Sequence, residues 1–189
     1  MSPIFLSEKF AVGLPYPQYV LTGTEEQQRR WKQVYDVARL TDPQNQLVGG
    51  FVRDMKVLIV SGIWCGDCVQ QVPLLQRIAE ANAARIDLRI LDRDQNRDLA
   101  EKLLINGGDR VPVALFLAED FELCGIYGER SLSRYRALAR TQLGASCPIG
   151  LAPPDADELA ATLQDWLNEF ERIHLMLRLS PRLRKRYND

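Results

Sequence analysis

Two cysteines that stand three positions apart, between a strand pattern and a helix pattern, constrain this chain more than any other feature. Trp64-Cys65-Gly66-Asp67-Cys68 follows the apolar run 57–60, and a helical pattern begins directly after it. A strand that delivers Cys65 to a helix N-terminus places its sulfur beside free backbone N–H groups and the positive end of the helix dipole. We therefore expect the pKa of Cys65 to be lowered toward neutrality, which makes the sulfur a nucleophile.

Cys68 lies one helical turn further along, where it can attack a mixed disulfide formed at Cys65 and release the partner. The pattern predicts a pair that cycles between dithiol and disulfide. The alternative is half of a structural zinc site, which needs two more ligands. Cys124, Cys147 and His174 are the candidates, but none of them forms a second CxxC or an HxxxH motif. Redox chemistry is therefore favoured, and no metal is expected.

Composition narrows the function classes. The chain has 189 residues, 46% of them apolar, which suits one sizeable domain with a core of its own. Its 24 basic and 25 acidic residues give a net charge of -1, which argues against nucleic acid or an anionic membrane as the partner. No apolar run approaches the length of a bilayer span, and the first residues lack the pattern of a signal peptide. We therefore expect a reducing, cytoplasmic location.

No nucleotide cofactor is expected either. The sequence has neither a G-x-G-x-x-G fingerprint nor a P-loop, so neither flavin nor nicotinamide is predicted to bind. Electrons for a dithiol pair would then come from a separate reductase or from a small thiol.

The order of the predicted elements between residues 55 and 143 is β-α-β-α-β-β-α. This order builds a small mixed sheet with helices on both faces and places the CxxC motif at the carboxyl end of the first strand. The strands are predicted at 56–61, 86–91, 112–118 and 121–127, and the helices at 69–83, at 98–105 and from Ser131 or Ser133 to 143. Asn106-Gly107-Gly108 is predicted to cap the second of these helices.

The segments before this core carry one clear start signal. Residues 1–23 show no period and are predicted to lie as an arm on the domain. Thr24 and Gln27 fit a capping box, which predicts a helix over about 25–40. We expect Asp42-Pro43 to end that helix and Gly49-Gly50 to mark a loop.

The last part of the chain predicts one long helix that starts near Pro154-Asp155. Its apolar stripe needs a partner surface, either this domain or a second subunit. A homodimer through this helix is one of those two alternatives. The stripe consists of Leu159, Leu163, Trp166, Leu167, Phe170, Ile173 and Leu177.

The element order together with Trp-Cys-Gly-Asp-Cys resembles the thioredoxin family over residues 50–143. A second motif agrees, because Arg110-Val111-Pro112 stands just before an apolar strand, where that family places its cis-proline. The resemblance implies a thioredoxin-like three-layer α/β fold with a mixed central sheet and helical extensions at both ends. It divides the chain into an arm and helix at 1–54, a core at 55–143, and a connector with the final helix at 144–189.

The resemblance also implies roles for individual residues. Cys65 would be the attacking thiol and Cys68 the resolving one. Trp64 would form an apolar platform beside the sulfur. Val111 would offer its backbone to an extended substrate strand, and Pro112, as a cis-proline, would lie opposite the disulfide.

Two positions depart from the usual family pattern. Gly66 and Asp67 complete the motif as supporting residues, but thioredoxin usually has proline where this chain has Asp67. A buried aspartate that usually helps to move the resolving thiol's proton is matched here by Ile59. Asp67 could replace it as the proton acceptor for Cys68, while its negative charge opposes a thiolate at Cys65.

These observations predict a thiol–disulfide oxidoreductase that acts on protein or low-molecular-weight disulfides. A binding module that uses the same fold as a docking platform is the alternative, favoured by the long extensions and the apolar stripe. Thiol-based peroxide removal is a third option. That chemistry needs an activating Arg or Thr near Cys65, and no such local motif is present.

Overall fold

The computed structural model describes residues 1–143 and 157–188. In this part of the chain a four-stranded sheet has the order β2-β1-β3-β4. Its strands are β1 (Met55–Ser61), β2 (Ile86–Asp92), β3 (Val113–Leu117) and β4 (Leu123–Gly128). β1 runs parallel to β2 and antiparallel to β3, and β3 pairs antiparallel with β4. The predicted α/β class with a mixed central sheet is confirmed, including the hairpin between the last two strands.

Helices precede, connect and follow these strands. In chain order they are α1 (Pro3–Val12), α2 (Tyr16–Val20), α3 (Glu25–Val37), α4 (Asp42–Gly49), α5 (Gly66–Glu80), α6 (Arg97–Ala100), α7 (Leu132–Leu143), α8 (Glu158–Leu179) and α9 (Pro181–Tyr187). In the described part of the chain, none of these helices has the length and apolar character that crossing a bilayer requires. The division into segments at 1–54, 55–143 and 144–189 stays a prediction.

The N-terminal arm is more regular than its sequence indicated. Residues 1–23 form α1 and α2, which contribute the buried side chains of Leu6 and Tyr19 to the core. Between the two helices, Leu14 and Ile90 exchange two backbone hydrogen bonds of 2.8 Å each. This bridge covers part of the outer edge of β2, an edge that would otherwise be open to pairing with another chain.

A second capping box explains a helix that the sequence analysis missed. The box at Thr24 and Gln27 is present, although α3 ends at Val37 rather than near residue 40. Asp42-Pro43 was predicted to end this helix, but α3 ends before these residues and they form the first turn of α4 instead. Thr41 and Gln44 form its capping box, and Pro43 is tolerated in the first turn, where its missing N–H would have had no intrahelical partner.

The connections around β2 also differ from the prediction. α5 begins at Gly66 and ends at Glu80, slightly ahead of the predicted 69–83, with Pro73 inside it. α6 is only four residues long, so the predicted helix over 98–105 was too long. Asn106-Gly107-Gly108 does not cap it. Instead Asn106 and Gly107, with φ of 49° and 67°, make a tight turn that is closed by mutual backbone hydrogen bonds between Ile105 and Gly108.

The apolar stripe of α8 is covered by the chain's own core. Trp166 packs edge-on against Tyr127, and Phe170 packs edge-on against Phe116, with ring centroids 4.8 and 5.1 Å apart. His174 stacks flat on Phe51. A homodimer through this helix therefore stays a prediction. The apolar stripe no longer supports it, because the same chain already covers the stripe. The helix follows Asp157, its N-cap, and the predicted start near Pro154-Asp155 lies outside the described residues.

Candidate active site

Cys65 is positioned by the turn between β1 and α5. Its backbone N–H donates to the Gly62 carbonyl at 2.9 Å, and its own carbonyl accepts from the Val69 N–H at 3.0 Å. Its φ and ψ of -78° and 126° make it the N-cap residue of α5. The side chain is partly exposed, whereas Cys68, in the first turn, is completely buried. The strand and helix thus bring the two cysteines together with opposite access to solvent.

The surroundings of Cys65 favour a thiolate. A hydrogen bond from the Cys68 thiol makes the largest contribution, followed by hydrogen bonds from the backbone N–H groups of Cys68 and Asp67. Partial burial and the charge of Asp67 act in the opposite direction. Together these effects lower the pKa of Cys65 to about 6. Burial and the neighbouring Cys65 raise the pKa of Cys68 well above its usual value, so at neutral pH Cys65 carries the charge.

The loop before β3 faces the Cys65 sulfur. The Cys65 Sγ lies 3.6 Å from the Val111 carbonyl oxygen, and the Val111–Pro112 peptide bond is cis. Val111 is buried, but its neighbour Arg110 is half-exposed. The structure therefore brings Val111 next to Cys65.

Trp64 and Arg93 form one wall of the site. The Trp64 indole is 47% exposed, and the Arg93 guanidinium lies over its ring at 4.9 Å from the centroid. Arg93 also donates to the Asp109 backbone carbonyl at 3.2 Å. It thereby links the indole to the loop that leads to Val111. No sequence motif gives Arg93 a place in the site.

The Asp67 carboxylate contacts two arginine side chains. Arg130 Nη2 donates to one carboxylate oxygen at 2.6 Å, and Arg134 Nε approaches the other at 3.4 Å. Both arginines follow β4, more than 60 residues along the chain, so no local motif could have indicated them. The carboxylate is occupied by these cations, which weakens the expectation that Asp67 accepts the proton of Cys68.

A buried amide holds the Arg130 loop against α5. The Gln71 Nε2 donates to the Glu129 carbonyl at 2.9 Å, while its Oε1 accepts from the Ser131 N–H at 3.1 Å and the Trp166 indole N–H at 3.2 Å. Gln71 therefore satisfies polar groups from the loop and from α8 at once. It connects the helix that carries the cysteines to the C-terminal extension.

The remaining candidate residues lie elsewhere or have no polar contact here. Gly66 is exposed at the start of α5, and a Cβ added there would meet no atom within 4 Å. Cys124 lies in β4, where partial burial raises its pKa. Cys147 falls outside the described residues. Among the residues with described side chains, no group of three or more His, Cys, Asp or Glu could hold a metal ion.

A mixed sheet with a dithiol at a helix N-terminus, opposite an Xaa-Pro loop, defines a thioredoxin-type class of protein. The sequence profile of the thioredoxin family matches residues 13–140. The chain therefore belongs to the thioredoxin family, and the match extends into the N-terminal helices that the resemblance over residues 50–143 had left out.

Two solved structures are similar to this one over most of the chain. A protein of unknown function from Pseudomonas aeruginosa is 18% identical, with a TM-score of 0.68 over 88% of this chain and 95% of its own. An HIV epitope-scaffold is 20% identical, with a TM-score of 0.58 over 89% of this chain and 92% of its own. At these identities, both likenesses show the fold alone. Among curated proteins, none matches the sequence.

Proposed function

We propose that this protein is a thiol–disulfide oxidoreductase whose active groups are Cys65 and Cys68. The observation that carries the proposal is the contrast between the two sulfurs. Cys65 is partly exposed and has a pKa of about 6, whereas Cys68 is fully buried and has a raised pKa. This contrast sets the order of reaction, because a substrate can reach only the sulfur that is already ionised.

The exchange runs in two steps in the reducing direction. The Cys65 thiolate attacks one sulfur of a substrate disulfide, which forms a mixed disulfide and releases the other substrate sulfur as a thiolate. Cys68 then loses its proton and attacks Cys65, which breaks the mixed disulfide and releases the second substrate thiolate. The enzyme is left oxidised, and a separate reductase or a low-molecular-weight thiol returns two electrons to it.

The substrate is a disulfide in a protein or in a low-molecular-weight thiol. Val111 supports this assignment, because its carbonyl lies beside Cys65 and an extended peptide could pair with the backbone there. Trp64 offers an exposed apolar surface at the same place. We also propose a cytoplasmic location, since a dithiol that works as a reductant needs a reducing compartment.

Insulin reduction with dithiothreitol tests the proposal. The protein should accelerate the precipitation of insulin B chains, Cys65→Ser should abolish the acceleration, and Cys124→Ser should leave it unchanged as the matched control. Cys68→Ser should also trap substrates covalently on Cys65. Equal acceleration by the Cys65→Ser variant would refute the assignment.

The alternative of a docking module has lost part of its support. The apolar stripe on α8 is buried against Tyr127 and Phe116 of the same chain, so it offers no free surface. Partner binding that survives in a Cys65→Ser, Cys68→Ser double variant would favour a docking role. Binding that disappears in that variant would favour the exchange reaction.

A further inference from the structure

Two buried hydroxyl groups lie on the interior side of Cys68. Ser61 is the last residue of β1 and is fully buried, and Tyr19 of α2 is 1% exposed. Within the described residues, neither hydroxyl makes a hydrogen bond to a protein atom. A buried polar group without a partner costs about 1–3 kcal/mol, so two neighbouring ones call for an explanation in terms of function.

Both hydroxyls lie around the turn that carries the cysteines. The Cys65 N–H donates at 2.9 Å to the carbonyl of Gly62, the residue after Ser61. Tyr19 packs edge-on against Trp31 with ring centroids 5.5 Å apart, and the Trp31 indole N–H donates to the Ile63 carbonyl at 3.0 Å.

The Ser61 hydroxyl lowers the pKa of Tyr19 and also that of Cys68, against the larger effect of burial, which raises both. Cys65 and Cys68 in turn raise the pKa of Tyr19. The three side chains, one each from β1, α2 and α5, therefore share one buried space beneath the active site.

The second step of the exchange needs a group that stabilises negative charge on the Cys68 sulfur. Cys68 must lose its proton in surroundings that strongly disfavour an anion. Asp67 is engaged with Arg130, and the nearby strand residue Ile59 is aliphatic and buried. Burial and Cys65 both disfavour the Cys68 thiolate, and the groups that favour it are the Ser61 hydroxyl and the Gly62 backbone N–H.

We propose that Ser61 and Tyr19 are positioning residues for the resolving step, with the Ser61 hydroxyl donating to the Cys68 sulfur as it becomes negative and the Tyr19 hydroxyl donating to Ser61 Oγ. This inference rests on the proposed oxidoreductase function. In this step the proton of Cys68 passes to a base in the solvent. The Cys68–Cys65 bond then forms as the bond from Cys65 to the substrate breaks. The departing substrate thiolate takes a proton from the solvent. The hydroxyls lack a partner in the dithiol state and gain one when the thiolate appears.

The reaction with one equivalent of 5,5′-dithiobis(2-nitrobenzoate) separates the two steps. Attack by Cys65 releases one thionitrobenzoate, and attack by Cys68 on the mixed disulfide releases a second. A background with Cys124→Ser and Cys147→Ser leaves only the two sulfurs of interest. We expect Ser61→Ala to slow the second release about tenfold and Tyr19→Phe to slow it about threefold, with the first release unchanged. The slowed phase should also have a higher apparent pKa than in the unsubstituted background.

Tyr16→Phe is the matched control. Tyr16 lies on the same helix and is buried with an unpartnered hydroxyl. Its titratable neighbours are not the cysteines but Tyr35, Glu80, Arg77 and Asp36. It should leave both releases unchanged.

A second release that is unchanged in both Ser61→Ala and Tyr19→Phe would overturn the inference. Equal slowing of the first and second releases would also overturn it, because such slowing indicates a general structural role for the two hydroxyls. The absence of a second release from the unsubstituted background would instead contradict the proposed function itself.

Discussion

The Arg130 guanidinium donates a 2.6 Å hydrogen bond to the Asp67 carboxylate, one residue before the buried Cys68. Asp67 raises the pKa of Cys65 through its negative charge, and it does so from within the active-site motif. Arg130 offsets part of this charge, so the carboxylate disfavours the Cys65 thiolate less than an unpaired carboxylate would. Arg134, in turn, pairs with Glu158 at 2.6 Å, so the first turn of α8 also contacts this ion-pair network.

Removal of Arg130 should make Cys65 harder to ionise. In Arg130→Gln the Asp67 charge loses its nearest cation, and we expect the pKa of Cys65 to rise by about 0.5–1 unit. Asp67→Asn should shift that pKa in the opposite direction. Thiolate absorbance at 240 nm against pH measures both shifts. Arg110→Gln is the control, because Arg110 is half-exposed and its nearest carboxylate, that of Glu129, is 3.8 Å away. A lowered pKa in Arg130→Gln would contradict the charge-balance argument.

The rate of Cys65 alkylation should follow a titration with a midpoint near pH 6. Iodoacetamide reacts with the thiolate, so the rate is full above this pH and falls as the sulfur takes up a proton below it. In Cys68→Ala the hydrogen bond that contributes most to the low pKa is lost, and the midpoint should move upward toward the usual value for cysteine. An unshifted midpoint in Cys68→Ala would mean that the helix N-terminus alone accounts for the acidity of Cys65.

Gln71→Leu should destabilise the fold considerably, although leucine and glutamine side chains are similar in size. The change leaves the Glu129 carbonyl, the Ser131 N–H and the Trp166 indole N–H without their buried partner. We expect a loss of about 3 kcal/mol in the free energy of unfolding, measured by urea titration. Gln70→Leu, one position earlier on the exposed face of α5, should change it by less than about 0.5 kcal/mol. Equal effects of the two substitutions would show that the buried amide contributes little.

Gly128→Ala should disturb the loop that faces Cys65. A Cβ at this position would lie 2.5 Å from the Pro112 carbonyl oxygen and 3.0 Å from the Val113 Cα, both of them backbone atoms. We expect a loss of about 2 kcal/mol in stability and a slower reaction at Cys65, because Pro112 must shift. Gly49→Ala, where the added Cβ meets no atom within 4 Å, should be neutral or slightly stabilising. Wild-type stability in Gly128→Ala would contradict this contact.

Local patterns predicted the parts of the fold that depend on neighbours in sequence. Period-two and continuous apolar runs located all four strands of the described sheet to within about two residues. The capping box at Thr24 located the start of α3. The same reasoning failed at Thr41, where Pro43 was read as a terminator although proline is compatible with a first helical turn. The error was one of weighting, since the signal itself was in the sequence.

The residues of the candidate site likewise fall into those that a local motif predicts and those that only tertiary packing brings together. Cys65, Cys68 and the Val111-Pro112 pair follow from short motifs at fixed places in the element order. Arg130 could not be predicted, because its contact with Asp67 joins residues 63 positions apart and depends on how the loop after β4 lies against α5. Tyr19 was missed for a similar reason, since its segment has no period and its place beside Ser61 is set by packing onto β2.

The distribution of the three tryptophans gives the molecule an intrinsic optical reporter. Trp31 and Trp166 are fully buried, whereas Trp64 is half-exposed beside Cys65. A water-soluble quencher such as acrylamide can therefore reach the emission of a single indole, the one that adjoins the reacting sulfur. Changes in the quenchable fraction of the fluorescence would follow oxidation and substrate docking without any added dye.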